Sequence, residues 1–88
     1  MPEEEKIIVN PFEKRIIDFL DSRKNCVVTR ITTYEVAKGS KLSWGAVDKY
    51  GWKLKDKGVV KLEEEYELGR KKIYWTLNRE VLSNVVVE

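Results

Sequence analysis

Histidine is missing from these 88 residues, and Cys26 is the only cysteine. Without histidine the most frequent general base of enzyme active sites is unavailable, and zinc sites made of cysteine and histidine cannot be assembled. A lone cysteine forms no internal disulfide, so the framework of a small secreted domain is absent. Followed by Val27 and Val28, Cys26 reads as a small buried hydrophobe and not as a nucleophile or redox switch. There is no run of about 18 apolar residues to span a bilayer. Residues 3–5 are all glutamate, unlike the opening of a secretory signal. No P-loop or glycine-rich nucleotide fingerprint is present. The expectation is a soluble, cytoplasmic protein that is not an enzyme, uses no metal or cofactor, meets no membrane and has no evident small-molecule ligand.

What is there suits one folded domain. A chain of this length buries roughly 60–65% of the surface its unfolded form exposes, enough for one modest core and little for a deep cleft. Hydrophobic residues make up 42% of the sequence and charged residues 36%, the latter above the usual quarter. Many charges with a surplus of Ile, Val, Lys and Glu suit a heat-adapted source. The formal net charge is only +2, but it is segregated. Residues 38–57 hold six lysines (38, 41, 49, 53, 55, 57) against Asp48 and Asp56. Residues 61–67 set Lys61 against Glu63, Glu64, Glu65 and Glu67, and Arg70, Lys71 and Lys72 follow.

The apolar pattern has a period of 3.6 up to Gly58 and of 2 beyond it. Asn10 and Pro11 open a first helix as cap and first helical residue. Phe12, Ile16, Ile17 and Leu20 form its apolar stripe, with Glu13, Lys14, Arg15, Asp18 and Asp21 outward, and Lys24 and Asn25 end it. Residues 26–28 read as a short buried strand or a linker, and Ile31 anchors the entry to the next element. Thr32 or Thr33 caps a second helix, Thr32 and Glu35 having capping-box spacing, and Gly39 is placed to end it. Ser43 caps a third helix reaching about Lys57, with Gly58 closing it. Its buried stripe is Val47, Tyr50, Gly51 and Leu54; Gly45, Lys49, Trp52 and Asp56 lie opposite, flanked by Asp48 and Lys53. Gly51 faces inward and allows a close helix approach. Gly45 faces outward, either to let the helix lie near another backbone or because the helix starts late.

After Gly58, Val60, Leu62, Tyr66 and Leu68 share one face of a strand, and Ile73, Trp75 and Leu77 share one face of the next. A two-residue turn at Gly69 and Arg70 would place Tyr66 opposite Ile73, Leu62 opposite Leu77 and Glu67 opposite Lys72. Glu63 and Glu65 then lie on the face opposite the apolar one. Ile7, Ile8 and Val9 could pack over the domain, pair as a strand or serve a partner chain. Residues 79–82 could start a helix capped by Asn78, and residues 85–87 are β-prone.

Helix, short strand, helix, turn, helix and two-stranded hairpin is the order of a winged helix-turn-helix domain, an α+β fold with a three-helix core and a C-terminal β-hairpin wing. The chain resembles that superfamily, in particular the small regulators of archaea and their viruses. The likeness is carried by residues 33–39, by LSWGAVDKYGWKLKDKGVV (42–60) and by ELGRKKIYWTL (67–77). It covers residues 10–78 of a single domain, with 1–9 and 79–88 as flanking segments that are candidates for dimer formation. The return strand Tyr74-Trp75-Thr76-Leu77 looks like the corresponding strand of the multiple-antibiotic-resistance and arsenic-repressor type families.

The resemblance implies sequence-specific binding of double-stranded DNA by a transcriptional regulator. Helix 43–57 would enter the major groove, whose width of about 12 Å admits one helix. Ser43, Trp44, Asp48, Lys49, Trp52 and Lys53 would then be nearest the base edges, with Lys38 and Lys41 on flanking phosphates. Arg70, Lys71 and Lys72 in the wing tip (69–72) would meet backbone or minor groove. From its position alone Trp44 reads as packed at the edge of the buried stripe, Trp75 as core, and Trp52 as an outward contact for DNA or a second chain. A homodimer would double the site read; its candidate surfaces are residues 7–9, the outer face of the first helix and residues 81–87. The alternative is a winged-helix module for protein–protein contact in a replication, transcription or virion assembly, since one fold serves both uses.

Overall fold

The computed structural model describes residues 6–23 and 31–88. Lys24, Asn25 and residues 26–28, read above as a helix end and a strand or linker, lie outside the described residues. The elements are β1 (Ile7–Val9), α1 (Pro11–Ser22), β2 (Ile31–Thr32), α2 (Thr33–Ser40), α3 (Trp44–Asp56), β3 (Val60–Glu67), β4 (Arg70–Leu77), a 3₁₀ turn (Arg79–Asn84) and β5 (Val85–Val87). The chain is an α+β fold in which a three-stranded antiparallel sheet, in the order β2-β4-β3, packs against the helices.

Local chemistry starts each helix where expected. The Asn10 side chain accepts from the Glu13 N–H at 2.7 Å, and Glu13 Oε1 accepts from the Asn10 N–H at 3.0 Å. This capping box satisfies two of the orphan donors of α1. Glu13 is nevertheless not outward as its periodicity suggested: it is buried, and both carboxylate oxygens accept from Lys57 Nζ at 3.0 and 2.9 Å. A cation 44 residues away makes this burial tolerable, and helical periodicity cannot register it. Phe12, expected in the core, is instead exposed and stacks on Tyr50 with centroids 5.9 Å apart.

Thr32 caps α2 by accepting from the Glu35 N–H at 3.3 Å, while its own hydroxyl donates to Glu35 Oε1 at 3.3 Å. Gly39 does not end this helix; Lys41 does, in a left-handed conformation with φ 60°. Gly39 instead gives room to α1. A Cβ there would sit 2.0 Å from Phe19 Cε1.

The core contains Ile16, Ile17 and Leu20 of α1, Val36 of α2, Val47 and Leu54 of α3, and Val59, Val60 and Trp75. Trp75 is central: its indole N–H donates to Thr33 Oγ1 at 3.0 Å, so the ring is buried without an orphan donor. The close approach expected at Gly51 is to this ring and not to another helix. A Cβ on Gly51 would meet Trp75 Cη2 at 2.4 Å.

The hairpin register differs from expectation by two residues. Leu62 opposes Trp75, Glu64 opposes Ile73, Tyr66 opposes Lys71 and Glu67 opposes Arg70. The turn is Leu68-Gly69, with φ 50° and 77°, the pair of positive values that matches the right-handed twist of two paired strands. A slip of two residues keeps every side chain on its face. Leu62, Ile73, Trp75 and Leu77 therefore still share the inner side, while Tyr66 and Leu68 are carried out into solvent.

Two further pairings close the molecule. β2 adds to the sheet edge with Ile31 opposite Trp75 and Thr32 opposite Tyr74. Of the alternatives for residues 7–9, strand pairing is realised: β1 runs parallel to β5, Ile7 opposite Val85 and Val9 opposite Val87. The two flanking segments are thus bound to each other within one chain, burying Val9. Asn78 caps the 3₁₀ turn, and Arg79 pairs with Asp21 of α1.

Candidate nucleic-acid interface

The exposed side of α3 follows from how its inner side is held. Ser43 Oγ accepts from the Ala46 N–H at 3.2 Å, and the turn 41–43 is fixed by Leu42 N–H donating to Ala37 O at 3.2 Å. With Val47, Gly51 and Leu54 buried, the helix geometry puts Trp44, Asp48, Lys49, Trp52 and Lys53 outside. All five are exposed, Trp44 at 55% and Trp52 at 38%. Trp44 is therefore not packed at the stripe's edge; its ring lies beside Tyr34, outside the core. Lys49 and Lys53 each stand 5.8 Å from the Tyr50 ring, and Lys55 lies 4.8 Å over Trp52. Each pairing is a cation against an aromatic face.

The hairpin brings a second set of cations. Arg70, Lys71 and Lys72 are exposed. Lys71 Nζ is 3.1 Å from Glu64, and Lys72 Nζ is 3.0 Å from Glu67. The hydrogen bond that Lys71 donates to Glu64, then the charge of that carboxylate, raises the Lys71 pKa above the ordinary 10.5, with a smaller pull from Asp48. Glu67 acts in the same way on Lys72. Tyr74 is also raised, first by burial and then by its hydrogen bond to Glu67. Both lysines are thus fully charged at neutral pH, although each shares its charge with a carboxylate. The alternation of β3 puts Glu63 and Glu65 on the outer face, away from Leu62, while Glu64 lies on the inner face.

A cleft of about 390 Å³ joins these elements, lined by Thr32, Thr33, Tyr34, Trp44, Asp48, Lys71, Lys72 and Ile73. Four of the residues singled out from the sequence, Trp44, Asp48, Lys71 and Lys72, meet there. Lys49, Trp52 and Lys53 extend the surface along α3. Lys41 is elsewhere, in a hollow against α1 with Arg15, Asp18 and Phe19. Lys38 is exposed near the end of α2 and lines neither cavity. Ser43 is exposed, and its hydroxyl oxygen serves as the cap.

Sequence reasoning missed Tyr34 and Glu64. Tyr34 falls outside the buried positions Thr33, Val36 and Ser40 of α2, so its outward direction was readable, whereas its neighbour Trp44 at 6.4 Å was not. Among the described residues there is no cluster of acids or cysteine able to hold a metal ion and no helix long and apolar enough to cross a membrane. Comparison with protein-family models, curated proteins and solved structures finds no match for the chain.

Proposed function

We propose that this protein is a winged helix-turn-helix regulator that binds double-stranded DNA in a sequence-specific way, with α3 in the major groove and the β3–β4 hairpin as wing. The observation that carries the reading is the exposure of Lys49, Trp52 and Lys53 on α3, next to a cleft where α3 meets Lys71 and Lys72. A lysine-bearing helix beside a strand that carries Arg70, Lys71 and Lys72 offers cations to a duplex, whose phosphates dominate affinity. The order of the elements and the β2-β4-β3 sheet support the same reading. Tryptophan at an exposed helical position adds contact area that a solvated surface does not need. In a cytoplasmic homodimer, two copies of α3 would read two half-sites; Ile8, Val86 and Val87 remain exposed on the β1–β5 pair as surface for the second copy.

Selection from random duplexes, followed by mobility shift across salt concentrations, tests the proposal. Affinity should fall steeply with salt, and the Lys49→Ala/Lys53→Ala variant should bind more weakly at every salt concentration. Arg70→Ala should weaken binding further. Unchanged binding in the double variant would remove α3 as the contact surface.

A further inference from the structure

The cleft between α2, α3 and β4 has a composition that groove binding by α3 does not require. Its volume of about 390 Å³ lies in the range that holds small organic ligands, about 300–1,000 Å³. Tyr34 and Trp44 form one wall, 58% and 55% exposed, in a region where the core needs neither ring. Their rings are tilted at 44° with centroids 6.4 Å apart. They therefore do not cover each other face to face, and each leaves a face open for a planar guest. Ile73 adds a half-buried aliphatic surface. Charge is distributed across the opening: Lys71 and Lys72, ion-paired to Glu64 and Glu67 and with ammonium donors to spare, stand on the strand side, Asp48 on the helix side. Apolar planar walls, cations at one edge and an acceptor-only carboxylate at the other define the guest's chemistry. It has an aromatic ring, an anionic group, and an exocyclic amine as donor.

We propose that this cleft is a nucleotide site: an unpaired base lies against Tyr34 and Trp44, its phosphate meets Lys71 and Lys72, and Asp48 accepts a hydrogen bond from the exocyclic amine. Stacking on aromatic side chains beside a cationic backbone track is how single-stranded nucleic acid is held. The nucleotide can arrive free or as an unpaired residue of a strand. The inference deepens the nucleic-acid reading above and rests on it for the strand form, in which an end or opened base next to the duplex on α3 would enter the cleft. Adenine, cytosine and guanine present an amine to Asp48, and thymine does not.

The test uses the full chain with three probes: labelled dA4, labelled dT4 and a blunt duplex, followed by fluorescence anisotropy. We expect dA4 to bind, and Tyr34→Ala and Trp44→Ala each to weaken it about tenfold, the loss of one stacked base. Trp44→Phe should retain most of the affinity, and circular dichroism should show all variants folded, because both rings are exposed. Tyr34→Ala should leave blunt-duplex binding unchanged. Asp48→Ala should abolish a preference for dA4 over dT4. Displacement of dA4 by free deoxyadenosine monophosphate supports a site for the mononucleotide, and resistance to displacement with the same Tyr34 and Trp44 losses supports a site for a base carried in a strand. Absence of dA4 binding, or dA4 binding within twofold of wild type in both alanine variants, overturns the proposal. Failure of the major-groove reading would appear in the blunt-duplex arm with Lys49→Ala/Lys53→Ala, so the two ideas fail separately.

Discussion

Single side chains in this small core carry unequal weight. Glu13 holds the first turn of α1 through Asn10 and receives Lys57 from the end of α3, and it is almost fully buried. Glu13→Ala should lower stability by about 1–3 kcal/mol, because the Asn10 N–H and the half-buried Lys57 ammonium lose their acceptor. Denaturant titration would measure it. Two glycines of α3 should respond in opposite ways to alanine. At Gly51 the new methyl group would press on the rigid, buried Trp75 indole at 2.4 Å, and overpacking of this kind costs about 1–3 kcal/mol. At Gly45 nothing lies within 4 Å, so alanine should stabilise by up to about 1 kcal/mol through helix propensity. Thermal melts of the two variants would check both signs. Gly51 was legible as inward from the helical period; that its neighbour is an indole from β4 was not.

Among the elements, the hairpin is where local and distant forces are most clearly separated. Leu68 occupies a left-handed position while fully exposed, a conformation that costs a side chain with a Cβ about 1–2 kcal/mol. Leu68→Asn should recover about 0.5–1 kcal/mol, since Asn-Gly is the preferred pair in this turn; the shift of the denaturation midpoint measures it. The hairpin also has a defined pH response. Lys71, Lys72 and Tyr74 all bind their protons more tightly in the folded chain than their ordinary values of 10.5, 10.5 and 10.0 imply. Groups with raised pKa stabilise the fold fully below the unfolded value and lose that contribution as pH rises through the folded one. The hairpin should therefore loosen above about pH 10 and stay unaffected through neutrality. In Glu64→Gln the Lys71 ammonium should titrate at lower pH, as followed by NMR of its side-chain resonances. An opposite shift would contradict the pairing of Lys71 with Glu64.

For the whole molecule, closure depends on the two ends of the chain meeting. β5 pairs with β1, whose Val9 is buried, although a parallel pair of three residues each is too short to stand alone. Removing residues 85–88 should uncover Val9 and destabilise the protein by about 2 kcal/mol, the worth of one buried aliphatic side chain. A fall in melting temperature without loss of the α-helical signal is the expected result. If the β1–β5 surface also mediates a dimer, the same truncation should lower the sedimentation coefficient of the assembly.

Much of this architecture is determined by neighbours in the sequence. Asn10, Thr32 and Ser43 start their helices because a cap needs only its own next three residues, and the change of period at Gly58 separates helices from strands by the same short-range logic. Even the inner face of the hairpin survives an error of two in register, since alternation depends on parity alone. Only the tertiary structure decided what depends on residues far apart in the chain. It buried Glu13 under Lys57, moved the turn to Leu68-Gly69 so that Trp75 could face Leu62, joined residues 7–9 to 85–87, and brought Tyr34 and Trp44 to one cleft with Lys71 and Lys72. These contacts are fixed by packing around Trp75 and by pairing between residues far apart in the chain, whose energies no local pattern of side chains records.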